Sequence, residues 1–401
     1  MFKKKIFSFV LGLALVSLCL CSSGLMAGCS SSNKGVATTK PNPPEDTAKT
    51  EPPVTTIVAD TSWIKGSKWV DTALNAYNNA FLVTQGSSVY YKASLKATEK
   101  DYFWQQALDI QMVEDVYRVH RLDDYKTLIE NLLNTFLAQN AGKAGLTDWD
   151  WNDYNDDLLW AGLAFVRGYQ ITGKKLFLNQ AKYAFDRLYK RGWDDELGGG
   201  IWWDVKKSNK SGLSNNPAVI LACYLYQFTG DDSYLTKAKD IYSWIIKTLY
   251  DKETGAVHEN IAPSGQLSGG INVYNIGAFV GGANFLSDLT HDPTYLSDAE
   301  RSINYVVQHN VIMARNQRDG TWQSEFARAL GEFLRSNPSY WSTYYSWMKK
   351  NADAAWGARR TDLNLIWNDW MNPTALDDTK ANECVSAIVM LAITPDSQPQ
   401  P

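Results

Sequence analysis

A chain of 401 residues is long enough for two domains or for one large barrel, so length alone leaves the domain count open. With 39 Lys and Arg against 43 Asp and Glu its formal charge is −4, which does not suit a phosphate-rich partner and sets nucleic acid aside. The four His (His120, His258, His291 and His309) lack metal-ligand spacing and no phosphate-loop motif occurs, so neither a metal nor a cofactor is expected.

The chain opens on Met1-Phe2-Lys3-Lys4-Lys5 and an apolar run from Ile6 to Leu20, the charged-then-hydrophobic order of a secretory signal over residues 1–28. The signal closes on Leu25-Met26-Ala27-Gly28-Cys29, which resembles a bacterial lipobox. Cys29 is therefore expected to carry lipid and to hold the protein on the outer face of a membrane; plain cleavage near Ala27 and free secretion is the alternative. Residues 29–60 are rich in Ser, Thr, Pro, Lys and Glu and read as a disordered tether. Cys223 and Cys384 fall within apolar helical patterns and read as buried thiols acting as small hydrophobes.

From Ser62 onward apolar residues recur at three- and four-residue spacing, with no convincing alternating strand run. Residues 61–396 therefore form one all-α domain, followed by a disordered tail at 397–401. The pattern predicts helices at 67–84, 100–119, 123–139, 154–172, 174–190, 212–229, 231–250, 271–289, 293–313, 321–335, 338–356 and 379–394. A weak repeat runs through them. Thr172-Gly173 with Phe177 and Ala181 returns as Thr229-Gly230 with Tyr234 and Ala238, and as Thr290-His291 with Tyr295 and Ala299. A period of about 60 residues with two helices per unit describes helical hairpins, and six of them suggest an (α/α)6 barrel, with an open solenoid as runner-up. Connections into the odd helices are short, whereas those into the even helices are long and full of Trp, Gly, Asn and Asp. In a barrel the long loops gather at one end, where function is carried.

That end would bring together Trp104 at the second helix, Trp149 and Trp151 ahead of the fourth, and Trp202 and Trp203 after the triple glycine Gly198-Gly199-Gly200. Asn215 and Asn216 at the sixth helix, Tyr274 and Asn275 at the eighth, and Trp322 at the tenth complete the candidate sugar-binding set. Aromatic faces suit the apolar C–H faces of pyranose rings, and amides suit their hydroxyls. For Trp203 and Trp160 core packing is an equal alternative, and one of the two Asn could cap its helix. At the fourth helix Asp156 and Asp157 are consecutive among bulky aromatics. Acids at a helix start often only offset the dipole, worth about 0.3–1 kcal/mol each. Two adjacent carboxylates, however, repel and split their pKa values, which is what glycosidic cleavage requires.

The whole folded region resembles glycoside hydrolase family 76, the endo-α-1,6-mannanases. The resemblance is carried by Phe103-Trp104-Gln105-Gln106-Ala107, by Asn155-Asp156-Asp157-Leu158-Leu159-Trp160, by Gly198 to Trp203, and by Tyr274-Asn275-Ile276-Gly277. It implies an (α/α)6 barrel acting on α-mannan by a retaining mechanism, with Asp156 as nucleophile and Asp157 as acid/base. The helix N-terminus is expected to keep Asp156 ionised, and that charge to raise the pKa of Asp157. Ile276 stands where the family has Gln, and Ser214-Asn215-Asn216-Pro217 departs from Ser-Asn-Gly; both are expected to lie in sugar-binding loops. A monomer is expected. A non-catalytic surface glycan-binding lipoprotein, or another helical-barrel enzyme acting on sugars, are the competing readings.

Overall fold

A computed structural model describes residues 65–315 and 322–400. The expected signal, Cys29, the tether and the first residue of the expected tenth helix lie outside the described residues. Twelve α-helices occur among the described residues. They are α1 (Val70–Phe81), α2 (Phe103–Val119), α3 (Asp123–Gln139), α4 (Asn155–Thr172), α5 (Lys175–Gly192) and α6 (Gly212–Thr229). The second half contains α7 (Asp232–Thr248), α8 (Val273–Thr290), α9 (Pro293–His309), α10 (Ser324–Ser336), α11 (Trp341–Gly357) and α12 (Ala381–Ile393). None of these helices is long and apolar enough to cross a membrane.

The even helices form the inner ring. Each packs on the next even helix, and α12 packs back on α2. That last contact closes the ring, so the architecture is an (α/α)6 barrel and the open solenoid is excluded. The odd helices stand outside, and burial follows position. In α4 nearly every residue from Asn155 to Tyr169 is buried, whereas α9 buries one stripe, Ala299, Ser302, Ile303 and Val306, as a helix with one face on a core and one on water must.

The internal repeat has a physical origin in how inner helices stop. The hydroxyls of Thr172, Thr229 and Thr290 donate to the carbonyls four residues earlier at 2.7, 2.6 and 2.7 Å. The next residue in each case turns left-handed, at φ 73° for Gly173, 67° for Gly230 and 57° for His291. Glycine adopts that conformation without strain, while a residue with a Cβ does so at about 1–2 kcal/mol. His291→Gly is therefore expected to raise stability by about 0.5–1 kcal/mol, measurable as a higher urea midpoint at unchanged slope.

The expectation of no strands is corrected. Strands β1 (Leu82–Gln85) and β2 (Ser88–Tyr91) make a hairpin where the first helix was predicted to continue to residue 84. Gly86 turns the chain at φ 60°, and Val89, Tyr90 and Tyr91 supply the β-favouring side chains. Strands β3 (Lys210–Ser211), β4 (His258–Ile261) and β5 (Leu267–Ile271) form a second antiparallel sheet in order. They carry no alternation to read, because β3 is two residues long and every residue of β5 is exposed. Cys223 and Cys384 are buried and unbridged.

Candidate active site

Long connections lead into the first turns of the even helices, and the one before α4 is pinned from below. Trp149 is 0% exposed and its ring meets Phe103, Phe136 and Phe165 edge-on at 5.2, 5.6 and 5.6 Å. Two residues on, Trp151 is 52% exposed, held by an indole N–H bond to the Asn140 carbonyl at 3.1 Å and by an edge contact to Phe103 at 5.4 Å. The Asn155 backbone N–H donates to the Trp203 carbonyl at 2.8 Å and its side-chain amide to the Trp202 carbonyl at 2.7 Å. The start of α4 is thus zipped to the glycine loop.

Asp156 and Asp157 sit in this frame. Asp156 is 8% exposed; burial, then the charge of Asp157, push its pKa up to about 8, against the lowering pull of the Trp203 side chain and of backbone N–H groups at the helix start. Burial raises Asp157 to about 6, opposed by the Asn152 amide, which donates to its Oδ2 at 2.8 Å. The two carboxyls interact strongly, and the pair holds one proton through the neutral range. Removing the Asp156 carboxyl from water works against the helix N-terminus, which alone would keep it ionised.

Asp157 opens onto a cleft of about 840 Å³. Its walls include Tyr102, Trp104, Trp151 and Tyr154, with Asp101, Lys100 and Gln106 among the polar groups. Tyr102 is 75% exposed and Tyr154 leans on Trp203 with ring centroids 4.9 Å apart. Beyond Trp104 an aromatic arc continues through Trp322 at 5.2 Å to Tyr274 at 4.8 Å. The Tyr274 hydroxyl donates to Glu259 at 2.6 Å, and Asn272 donates to the same carboxylate at 2.9 Å. Of the expected sugar-binding side chains, Trp104, Trp151, Trp203, Tyr274 and Trp322 thus fall in the cleft, beside the carboxyl pair or along this arc.

The other five are corrected. Trp149 is the core pin just described. Trp202 is buried, its N–H donating to Asp194 at 2.7 Å and its ring facing the Lys210 ammonium at 4.9 Å. Asn215 clamps the backbone of Ile201, accepting from its N–H at 2.8 Å and donating to its carbonyl at 2.9 Å. Asn216 donates to Asn275 at 2.8 Å, and Asn275 to the carbonyls of Val257 and His258. These amides tie α6, α8 and β4 together, because buried polar groups need partners and backbone carbonyls supply them. Ile276 and Ser214 are likewise buried inside helices, so the two sequence departures fall in packed first turns and not in sugar-binding loops. Gly277 is fixed by packing: a Cβ there would lie 2.3 Å from the Phe326 backbone nitrogen.

Sequence reasoning missed Asn152, Asp101 and Glu259. Asn152 and Asp101 carried a usable signal, each being polar just ahead of an even helix. Burial raises Asp101 to about 7, and one of its oxygens has no partner. Glu259 lies on a strand that the helical reading did not contain.

The model of glycosyl hydrolase family 76 matches residues 67–399. A mannan endo-1,6-α-mannosidase of Candida glabrata is 24% identical over 344 residues, 75% of this chain and 76% of the relative. The α-1,6-mannanase of Salegentibacter sp. HEL1_6 has the same fold, with a TM-score of 0.73 and 25% identity over 81% of this chain and 98% of that one. An inactive variant of that enzyme, with two consecutive aspartates replaced by alanine, is solved in complex with α-1,6-mannotetrose, at a TM-score of 0.73 and 24% identity over 82% of this chain and 98% of the other.

Proposed function

Because the chain belongs to glycosyl hydrolase family 76, we propose that it hydrolyses internal α-1,6-mannosidic bonds of mannan with net retention, through Asp156 and Asp157. The observation that carries this reading is the adjacent carboxyl pair, one member buried and one facing an aromatic-walled cleft, sharing one proton near neutrality. The two carboxyls stand on consecutive residues in the first turn of one helix, and retention needs such a pair about 5–5.5 Å apart. A cleft walled from several loops suits a chain bound on both sides of the cut, hence endo action.

Asp156 attacks the anomeric carbon as the bond to the leaving oxygen breaks, and Asp157 gives that oxygen its proton. Water then displaces Asp156 while Asp157 takes a proton back. This order needs the shared proton on Asp157. Substrate favours it there: a glycosidic oxygen accepts from Asp157, and the positive charge developing at the anomeric carbon favours ionised Asp156. A slow fluorinated α-mannosyl substrate is expected to leave a covalent label on Asp156, read by peptide mass spectrometry; a label on Asp157 would exchange the two roles. Proton NMR of the first products is expected to show α-configured oligosaccharides. A β signal ahead of mutarotation would refute retention, and mannose alone would indicate exo action.

Residues Met26-Ala27-Gly28-Cys29 and the Ser- and Pro-rich stretch behind them support a second part of the proposal: a lipidated Cys29 holds the enzyme, as a monomer, on the outer face of a membrane. Cys29→Ala is expected to move it into the aqueous fraction on detergent phase separation. An unmodified N-terminus at another residue would sink the anchor and leave the chemistry standing.

A further inference from the structure

The barrel lumen has a second cavity, of about 350 Å³, within the size range of small-molecule sites. It shares no lining residue with the cleft, and Arg167, on its wall, lies ten residues along α4 from Asp157, roughly 15 Å at helical rise. One wall is apolar, with Leu163, Ile220, Tyr224, Phe285 and Leu289. Facing it are four guanidinium groups, those of Arg118, Arg167, Arg328 and Arg335.

Two carboxylates each serve two of these cations. Asp115 pairs with Arg167 and, at 2.8 Å, with Arg328; Glu332 pairs with Arg118 and Arg335. Glu325 takes a further bond from Arg328 at 2.6 Å. Glu114, beside Arg167, is raised by burial to about 8 and so stays protonated at neutral pH, while Asp288 lies at the exposed rim. Arg335 reaches that rim and has Asp288 as a further charged neighbour there. Arg167 is 3% exposed, and its Nη1 has no hydrogen-bond partner. Inner helices end toward this side of the barrel, and their C-terminal dipoles account for Arg118 and Arg335 in last turns. They do not account for Arg328, near the start of α10, or for the unpaired N–H groups of Arg167.

We propose that this lumen binds a small organic monocarboxylate, its carboxylate on the guanidinium wall at Arg167 and its apolar body against Leu163, Ile220 and Phe285. A planar fork of N–H donors matches a carboxylate, and the apolar wall and the volume exceed what a bare inorganic ion would use. Arg335, about a third exposed near the rim and paired with Glu332, adds a second cation at the mouth of the lumen.

Isothermal calorimetry on the full chain with sodium hexanoate tests it, with hexanamide as the neutral analogue and sodium phosphate as the bare anion. Saturable hexanoate binding is expected, none for hexanamide, and phosphate at least about tenfold weaker. Arg167→Gln and Arg335→Gln should each weaken hexanoate about tenfold or more while mannan hydrolysis stays unchanged. Absence of saturable hexanoate binding, equal binding of hexanamide or phosphate, or unchanged binding in Arg335→Gln would overturn the proposal. The Arg335 variant, at the partly exposed rim, keeps the test decisive if Arg167→Gln fails to fold.

Discussion

Asp156→Asn is expected to lose mannan hydrolysis by about 10⁴-fold or more and yet to melt higher than the wild type at pH 8. Burial of Asp156 beside Asp157 holds a proton on the pair up to about pH 8, whereas such carboxyls in the unfolded chain ionise near pH 4. As pH rises between those values the unfolded chain gains the ionisation that the folded chain does not, so this group's contribution is fully present below about pH 4 and is lost by about pH 8. An amide does not ionise, and the variant escapes that loss. The difference should reach about 1–3 kcal/mol at pH 8, a discounted share of a shift shared with Asp157, and vanish near pH 4. A purely capping Asp would behave in the opposite way, with activity kept and about 0.5–2 kcal/mol of stability lost. Thermal melts at pH 4.5 and 8 with rates on linear α-1,6-mannan separate the two. Asp157→Asn should be as damaging on mannan but far less so on an aryl mannoside whose leaving group needs no proton, a split absent in Asp156→Asn.

What the sequence displayed and what it hid have the same physical root. Inner helices stop in the same way three times, Thr then a left-handed residue, because a ring of equivalent hairpins needs the same sharp turn at the same end; that repetition survives in the letters Thr172-Gly173, Thr229-Gly230 and Thr290-His291. The carboxyl pair was legible because consecutive acids ringed by aromatics have few uses. Amide side chains were not. Asn152, which donates to Asp157, and Asn215, which clamps the Ile201 backbone, carry identical side chains at similar distances from a helix start, and only the path of the glycine loop decides which one meets a carbonyl. The strands were hidden because their pairing is tertiary: β5 has no buried residue, so no periodic apolar face records it.

Trp149 and Trp151 give the largest expected contrast in stability. Both are Trp, two residues apart in one loop, and both looked like sugar platforms, yet one is 0% and the other 52% exposed. Trp149→Ala should cost about 3–5 kcal/mol, the range for emptying a large aromatic from a packed core, because its ring fills the space between Phe103, Phe136, Phe165 and Tyr183. The loop above it would lose its support, and with it Asn152 and its hold on Asp157, so kcat should fall as well. Trp151→Ala removes a side chain that lines the cleft, and is expected to shift stability by less than about 1 kcal/mol while raising KM on long mannan chains more than it lowers kcat. Urea melts and steady-state rates on the two variants check both halves. A Trp149→Ala protein of wild-type stability would return that residue to the binding surface, and an unchanged KM in Trp151→Ala would remove that residue from it.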